Sequence, residues 1–588
     1  MRDVIIIGCG GGGPVMAKEL AAQGLDVLVL EGGARFADPE NEWSRLDNDA
    51  NNPTSGYFRV GPSDRSKPPY IRSLPRPSYV WQVAGVGGTT LHYYANNPRS
   101  QVGTFLGYDG PDKDLYDTAH LFPFSLEELR PYYEWVEETL PVRPAPIGTK
   151  ENVFFRGAEG IGLKVNHSKE PRRFGYRAQQ NAILQPGGTA GKVKDPQYPE
   201  AQGCTMCGHC SQGCSMPRRA PRNLKAKRST DNSYVPMMLT ADAWSPGGRP
   251  AELIADAYVQ KVITEKRNGV PTAVGVRFQI QPEGEHYEER AKIIVMAGGA
   301  VETPRLWGNS DLPNPNGWVG RGLTDHHLDW VVGMFDEYTG TSRGQNSAAR
   351  TDFPGYGAIE NVGFPPGLNA FAQTYSDNGF SGSKRNGSPA TLAGADSMGR
   401  LVGDDLRSMM SNVDGILNCL VIPDDDVEWQ NRAVRQVPDL VDTNGPIARI
   451  DMMHRKRSAR TYNNREFLAA KAVQLLRAAG AKRVHRMDWP PLILHSHSSM
   501  RMGLDPSNSI CDEWSKARAV DNLYIADNSM LANGAGGSNP TLTTQAIVTR
   551  TAERIMTQHF GGEPWVKGNA PVSSTDSRIS DAMDAIAA

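Results

Sequence analysis

The stretch "GCTMCGHCSQGC" sets Cys204, Cys207, Cys210 and Cys214 in C-x2-C-x2-C-x3-C spacing, four of the seven cysteines in the chain. Thiols so spaced are those of an iron–sulfur ferredoxin run, except that Pro217 stands three residues after Cys214 instead of directly after it. Three readings compete. An iron–sulfur cluster would carry electrons, a zinc ion would use the four thiolates to staple a loop, and plain thiols would do neither. Spacing alone does not close the site, because in two-cluster ferredoxins the fourth cysteine of such a run serves another cluster. The basic residues that follow (Arg218, Arg219, Arg222, Lys225, Lys227 and Arg228) would offset a cluster's charge, dock an acidic electron-acceptor protein, or form a solvated loop. Cys9, Cys419 and Cys511 are scattered and read as small buried residues.

A second chemistry-bearing pattern opens the chain. "DVIIIG" has the continuous β-branched apolar character of a buried parallel strand, and Gly8, Gly10 and Gly13 then give G-x-G-x-x-G. Pro14 suits the first turn of a helix that ends at Gly24, and "LDVLVLE" is a further strand closed by Glu31. Glycines let backbone approach a pyrophosphate at the helix N-terminus, and the terminal acid accepts from a ribose hydroxyl. With every part in register the segment reads as a dinucleotide site, and the acid favours FAD or NAD over NADP.

Three later stretches add to this. "WQVAGVGGTTLHYYANNPRS" carries Gly87, Gly88, Thr89 and His92; "MAGGAVETPRLWGNS" is strand, glycine turn and helix start; "VDNLYIADNSMLANGAGGSNPTLTTQ" contains Asp527 and Asn539. Together with "FPFSLEELRPYYEWVE" and "GWVGRGLTDHHLDWVVG", they resemble the glucose–methanol–choline (GMC) oxidoreductases over about residues 3–330 and 485–560. The resemblance implies an α/β fold: a Rossmann-like FAD-binding domain of the p-hydroxybenzoate-hydroxylase kind with a discontinuous α+β substrate-binding domain. "LILHSHSSMRMG" and "GVGGTTLHYY" look like the pyranose-oxidase branch, with Ser498–Ser499 where that branch has Gly-Thr. In pyranose 2-oxidases the histidine matching His92 carries the flavin covalently; here its neighbours are Leu91 and Tyr93, and both a covalent bond and a noncovalent contact stay open.

The implied reaction oxidises a secondary alcohol of a sugar or glycoside to a ketone by hydride transfer to flavin N5. It needs a base, and a histidine with pKa near ~6.5 suits. Position in the motif selects His495 among the twelve histidines. His497, two residues on, would face the other way in an extended segment and reads as a supporting residue. Asn539 is the implied partner that bonds the substrate oxygen or orients His495, and it also suits a helix cap before Pro540. Asp527 resembles the family acid that bonds hydroxyls or amides near the flavin's ribityl–phosphate part. Alternatives are oxidation of a non-sugar alcohol, or a lyase of the same fold in which the flavin does no redox work.

These groups must be held by elements that the sequence outlines unevenly. The FAD-binding domain is expected over residues 1–330 with 485–560, interleaved with parts of the substrate side, and the substrate domain over 331–484. Residues 338–405, rich in Gly, Ser, Asn and Asp, read as a lid-like loop region or an oligomer contact. "NNREFLAAKAVQLLRAAGAKRVHRM" predicts a helix, then a strand returning to the FAD-binding domain. Residues 561–588 read as a polar tail, surface-bound or disordered. At 588 residues the chain exceeds the ~250–300 of a single core. A formal net charge of −2 argues against a nucleic-acid or membrane-surface binder, and no run approaches the ~18 apolar residues of a membrane span. A start that enters a strand at once leaves no room for a signal peptide, so cytoplasmic folding is expected, or export with a signal-bearing partner.

Overall fold

The structure is a computed structural model describing residues 1–36, 79–80, 82–186, 203–214, 220, 222–280, 284–374, 376, 390–431, 441–442, 444–446, 450, 457–489 and 492–587. Two large sheets organise it. In the first, seven-stranded sheet, Arg2–Ile7 lies centrally, parallel to Val27–Leu30 on one side and to His286–Met296 on the other. Its Val4, Ile5 and Ile6 have no exposed surface, as the apolar run predicts for a strand covered on both faces. Glu252–Ile254 extends the parallel part beyond Val27–Leu30, and Leu523–Ile525 joins the far end of His286–Met296. That long strand continues as an antiparallel meander with Val270–Ile280 and Ala257–Arg267. Helix Gly13–Ala22 packs against Tyr234–Leu239 and Thr541–His559, and the latter against Leu126–Thr139. Ser125 caps Leu126–Thr139 by accepting from the Glu128 amide at 3.1 Å.

The second sheet has eight strands in the order Ser397–Met398, Arg483–Arg486, Asp329–Met334, Ile416–Pro423, Gly357–Val362, Ser347–Phe353, Gly175–Ala178, Lys164–Val165, mostly antiparallel. Helices Ala459–Ala478 and Thr149–Gly160 cover it. Ion pairs stitch the longer helix down: Arg465 Nη1 lies 2.9 Å from Asp488 Oδ1, and Glu466 Oε1 2.6 Å from Arg486 Nη2. The two sheets and their helices are the mixed α/β architecture expected.

Three expectations change. Residues 338–405 are no open lid: Ser347–Phe353 and Gly357–Val362 lie inside the second sheet, every residue of both buried, and Pro366–Thr374 is a helix. Residues 377–389 of that stretch lie outside the described residues. The strand after the predicted helix, Arg483–Arg486, does not return to the first sheet but pairs with Asp329–Met334. The polar tail ends in a helix, Ser577–Ala587, whose Ile579 is fully buried, preceded by buried Trp565 and Val566. Trp565 and Val566 donate their amides to Glu553 Oε1 at 2.6 and 2.8 Å, which anchors the segment on helix Thr541–His559. Among the described residues no helix is long and apolar enough to cross a membrane.

Candidate active site

One cavity of about 260 Å³ runs past Gly8, Gly10 and Glu31, along Gly298, Gly299 and Asp527, to His495 and Asn539. At its first end the glycines are required by contact. A Cβ on Gly12 would lie 1.9 Å from the Ala526 carbonyl oxygen, and one on Gly88 (φ +49°) 2.7 Å from Gly10 Cα. The two glycine clusters of the sequence are thus one place, where the turn holding Gly87, Gly88 and Thr89 rests on the turn before helix Gly13–Ala22. Glu31 accepts from the Cys9 amide at 2.7 Å and the Gly33 amide at 2.8 Å. Burial, first of all, pushes its pKa up to about 7 against those bonds. A carboxylate in this place gains from one more donor, which an adenosine ribose hydroxyl provides.

Asp527 sits midway. Its Oδ2 accepts from the Gly299 amide (2.9 Å) and Thr303 Oγ1 (2.6 Å), and its Oδ1 from the Ser529 amide (2.7 Å). The carboxylate therefore fastens the start of helix Gly299–Asn309 to the loop after Leu523–Ile525. Thr89 and His92 line the cavity, His92 at the end of the turn Gly88–Leu91. A backbone cradle, an acid for a ribose and a channel between them fit FAD.

His495 and Asn539 meet at the other end: the Asn539 amide nitrogen lies 3.4 Å from His495 Nε2. His495 is held by its backbone amide, which donates to Asp325 Oδ1 at 2.9 Å. His495 Nδ1, Asn539 Oδ1 and Asp325 Oδ2 are buried without a hydrogen-bond partner. Desolvation, then the neighbouring His326 and the positive Arg350, hold the His495 pKa well below its ordinary value, so the ring is neutral. His326 stands edge-on to His495, 5.3 Å between centroids, and desolvation takes its own pKa down to about 4. His497 pairs through its backbone with Thr324, at 3.0 Å in both directions, and its Nδ1 lies 2.7 Å from Ser498 Oγ. Ser498 adopts φ +68°, the left-handed conformation a glycine takes without penalty. The Ser-for-Gly change therefore keeps the turn, with its hydroxyl bonded to His497.

The four cysteines are all partly buried, in the loop of residues 203–214. Among the described residues no three of His, Cys, Asp and Glu converge to hold a metal ion, so the structure lends the metal reading of their spacing no support. Desolvation raises the pKa of Cys204 and Cys207, and takes that of Cys210 up to about 12. The basic run is not a solvated docking strip where it is described: Lys225, Lys227 and Arg228 are buried. Lys227 Nζ donates to the carbonyls of Leu91 (2.8 Å), Tyr93 (3.0 Å) and Cys210 (2.7 Å), tying the cysteine loop to the turn that carries His92. Arg218, Arg219 and Pro217 lie outside the described residues.

The sequence did not single out Tyr94, Asn96, Ser211, Glu360, Leu420 or Leu494, which complete the cavity wall. The sequence offered little signal for Glu360: "SAARTDF" and "GAIENV", which carry Arg350, Asp352 and Glu360, lack the continuous apolar run of a buried strand.

Comparison with known proteins bears on this geometry. Family models described as GMC oxidoreductase match residues 113–328 and 418–547. The chain is 26% identical to 6'''-hydroxyparomomycin C oxidase of Streptomyces lividus over 94% of its own length and 91% of that protein's. It is 23% identical to the fructose dehydrogenase large subunit of Gluconobacter japonicus, over 94% and 97%. The crystal structure of pyridoxine 4-oxidase from "Mesorbium loti" superposes with a TM-score of 0.59 at 14% identity, covering 95% of this chain and 100% of that one, a likeness of fold.

Proposed function

Because the chain belongs to the GMC oxidoreductase family, FAD-dependent enzymes acting on CH–OH groups, we propose that it oxidises a secondary alcohol of a sugar or glycoside to a ketone, with His495 as the base. The observation that carries this is the pair His495–Asn539, 3.4 Å apart at one end of a cavity whose other end is lined by the glycine turn and Glu31. That separation is at the limit of a hydrogen bond. A substrate oxygen at the pair would accept from the Asn539 amide and donate its proton to His495 Nε2. Desolvation keeps His495 neutral at physiological pH, the state a base needs. Asp325 holds the His495 backbone, and the crowded His326 ring limits where the imidazole can turn. FAD, when bound, supplies the hydride acceptor. The sugar assignment rests on the pyranose-oxidase-like wording around His92 and His495 and on the fructose-oxidising relative.

Replacing His495 by Ala should lower the rate of anaerobic flavin reduction by a sugar substrate by about two decades or more, the size of lost general-base catalysis, while FAD remains bound. Near-native reduction in that variant would remove His495 from the role. A wild-type enzyme whose flavin no alcohol bleaches would remove the oxidative reading altogether.

A further inference from the structure

The alcohol chemistry of His495 and Asn539 leaves unused a row of acceptors that borders the same cavity. Glu360 projects from the strand Gly357–Val362, and Asn96 and Ser211 come from the first sheet's loops and the cysteine loop. Their exposures are 0%, 3% and 3%. Asn96 Oδ1 and Ser211 Oγ have no hydrogen-bond partner. Asn96 spends its amide protons elsewhere, on Asn181 Oδ1 (2.8 Å) and the Ser347 carbonyl (3.1 Å), so any further bond its side chain makes is as an acceptor. Glu360 Oε1 accepts from Gln179 Nε2 at 2.6 Å and Arg350 Nη1 at 3.3 Å, whereas Oε2 takes a long 3.3 Å bond from Ser347 Oγ. Buried acceptors in this state are matched by a ligand that brings donors.

Charge decides which donors. Arg350 is the cross-strand partner of Glu360 on one side and of Arg177 on the other. Both guanidiniums also hold Asp352, through Arg350 Nε at 2.8 Å and Arg177 Nε at 2.7 Å. Two cations thus face two carboxyl groups, Asp352 held, despite burial, below its ordinary pKa by the arginines and Glu360 raised by burial, so the cluster has no negative charge to spare. A substrate ammonium would add a buried charge without a counter-charge, which is costly, while a hydroxyl adds a donor and no charge.

We propose that Glu360, Asn96 and Ser211 are the specificity-determining wall of the site, accepting hydrogen bonds from hydroxyls other than the one oxidised and selecting neutral polyols over monohydric and amino alcohols. This rests on His495 and Asn539 oxidising an alcohol. Glu360→Gln is the informative change, since an amide oxygen can keep the bonds from Gln179 and Arg350 while its NH2 replaces the acceptor Oε2.

The test uses the FAD-loaded enzyme with ring-matched probes: cyclohexanol, the 1,2-, 1,3- and 1,4-cyclohexanediols, and the corresponding aminocyclohexanols. Anaerobic flavin reduction and calorimetric binding are read on each. The wild type is expected to prefer at least one diol over cyclohexanol in kcat/KM by about 10- to 100-fold, in the manner of a site built to bond a hydroxyl. In Glu360→Gln that ratio should fall about tenfold or more, chiefly through KM, with a smaller fall of the same kind in Ser211→Ala. A ratio preserved in both variants, or a wild-type preference for the aminocyclohexanols, overturns the proposal. If neither these probes nor a panel of sugars bleaches the wild-type flavin, the oxidative reading fails instead. Calorimetry then decides the wall: diol binding weakened by Glu360→Gln supports it, and unchanged binding overturns it. Should Glu360→Gln not fold, Asn96→Ala and Ser211→Ala carry the same comparison.

Discussion

At the scale of single residues, the protonation of His495 is set by its surroundings more than by its ordinary pKa. Desolvation, His326 and Arg350 all act against the imidazolium, so the acid limb of activity belongs below the ~6.5 of a free imidazole. With FAD saturating, kcat/KM for an oxidised alcohol should rise with pH along that limb and run flat from about pH 6.5 to 8. Saturation matters because Glu31, in the dinucleotide cradle, titrates at about 7 for the same reason of burial. A limb centred above 6.5 would count against His495 as the base. His495 and Asn539 were legible because each sits in a fixed motif, and the structure sets them side by side. Glu360 was not legible as a cavity residue. Which of several strand charges reaches a pocket depends on pairing between strands, here Arg350 with Glu360 and Glu360 with Leu420.

At the scale of elements, patterns that need only their own neighbours were readable. Arg2–Ile7 is a continuous apolar run and forms the strand it predicts. Ser347–Phe353 carries Arg350 and Asp352 into a fully buried strand, where ion pairs take the place of apolar packing, and so its sequence resembles a loop. The final helix, Ser577–Ala587, failed for a different reason: Ile579 and Met583 make an apolar stripe too narrow to stand out among polar residues. That stripe holds the element down on helices Tyr234–Leu239 and Ala241–Trp244. Ile579→Ala should cost about 2–5 kcal/mol, the usual loss for a fully buried isoleucine. The opening of the C-terminal segment would report it, as cleavage there by added protease at least about tenfold faster than in wild type. Unchanged cleavage would mean that Trp565 and Val566 carry the attachment alone.

At the scale of the molecule, the cavity is walled by both sheets: Ile7, Leu30 and Met296 come from the first, Glu360 and Leu420 from the second. His495 and Asn539 line it too, and their Nδ1 and Oδ1 atoms have no partner, a condition that costs about 1–3 kcal/mol for a buried polar atom. FAD bound along this cavity would touch elements of both sheets. Binding to the folded state alone stabilises it by about 2.7 kcal/mol at a hundredfold excess over Kd. Because the walls belong to both sheets, that gain should raise the melting temperature of the whole chain in one transition as FAD is titrated into apoprotein. Thermal unfolding followed by far-ultraviolet circular dichroism and by tryptophan fluorescence distinguishes the outcomes. Coincident shifts in both signals mean that FAD bridges the sheets. A shift confined to part of the unfolding profile means that the first sheet binds the cofactor alone, with the substrate wall of Glu360 assembled independently of it.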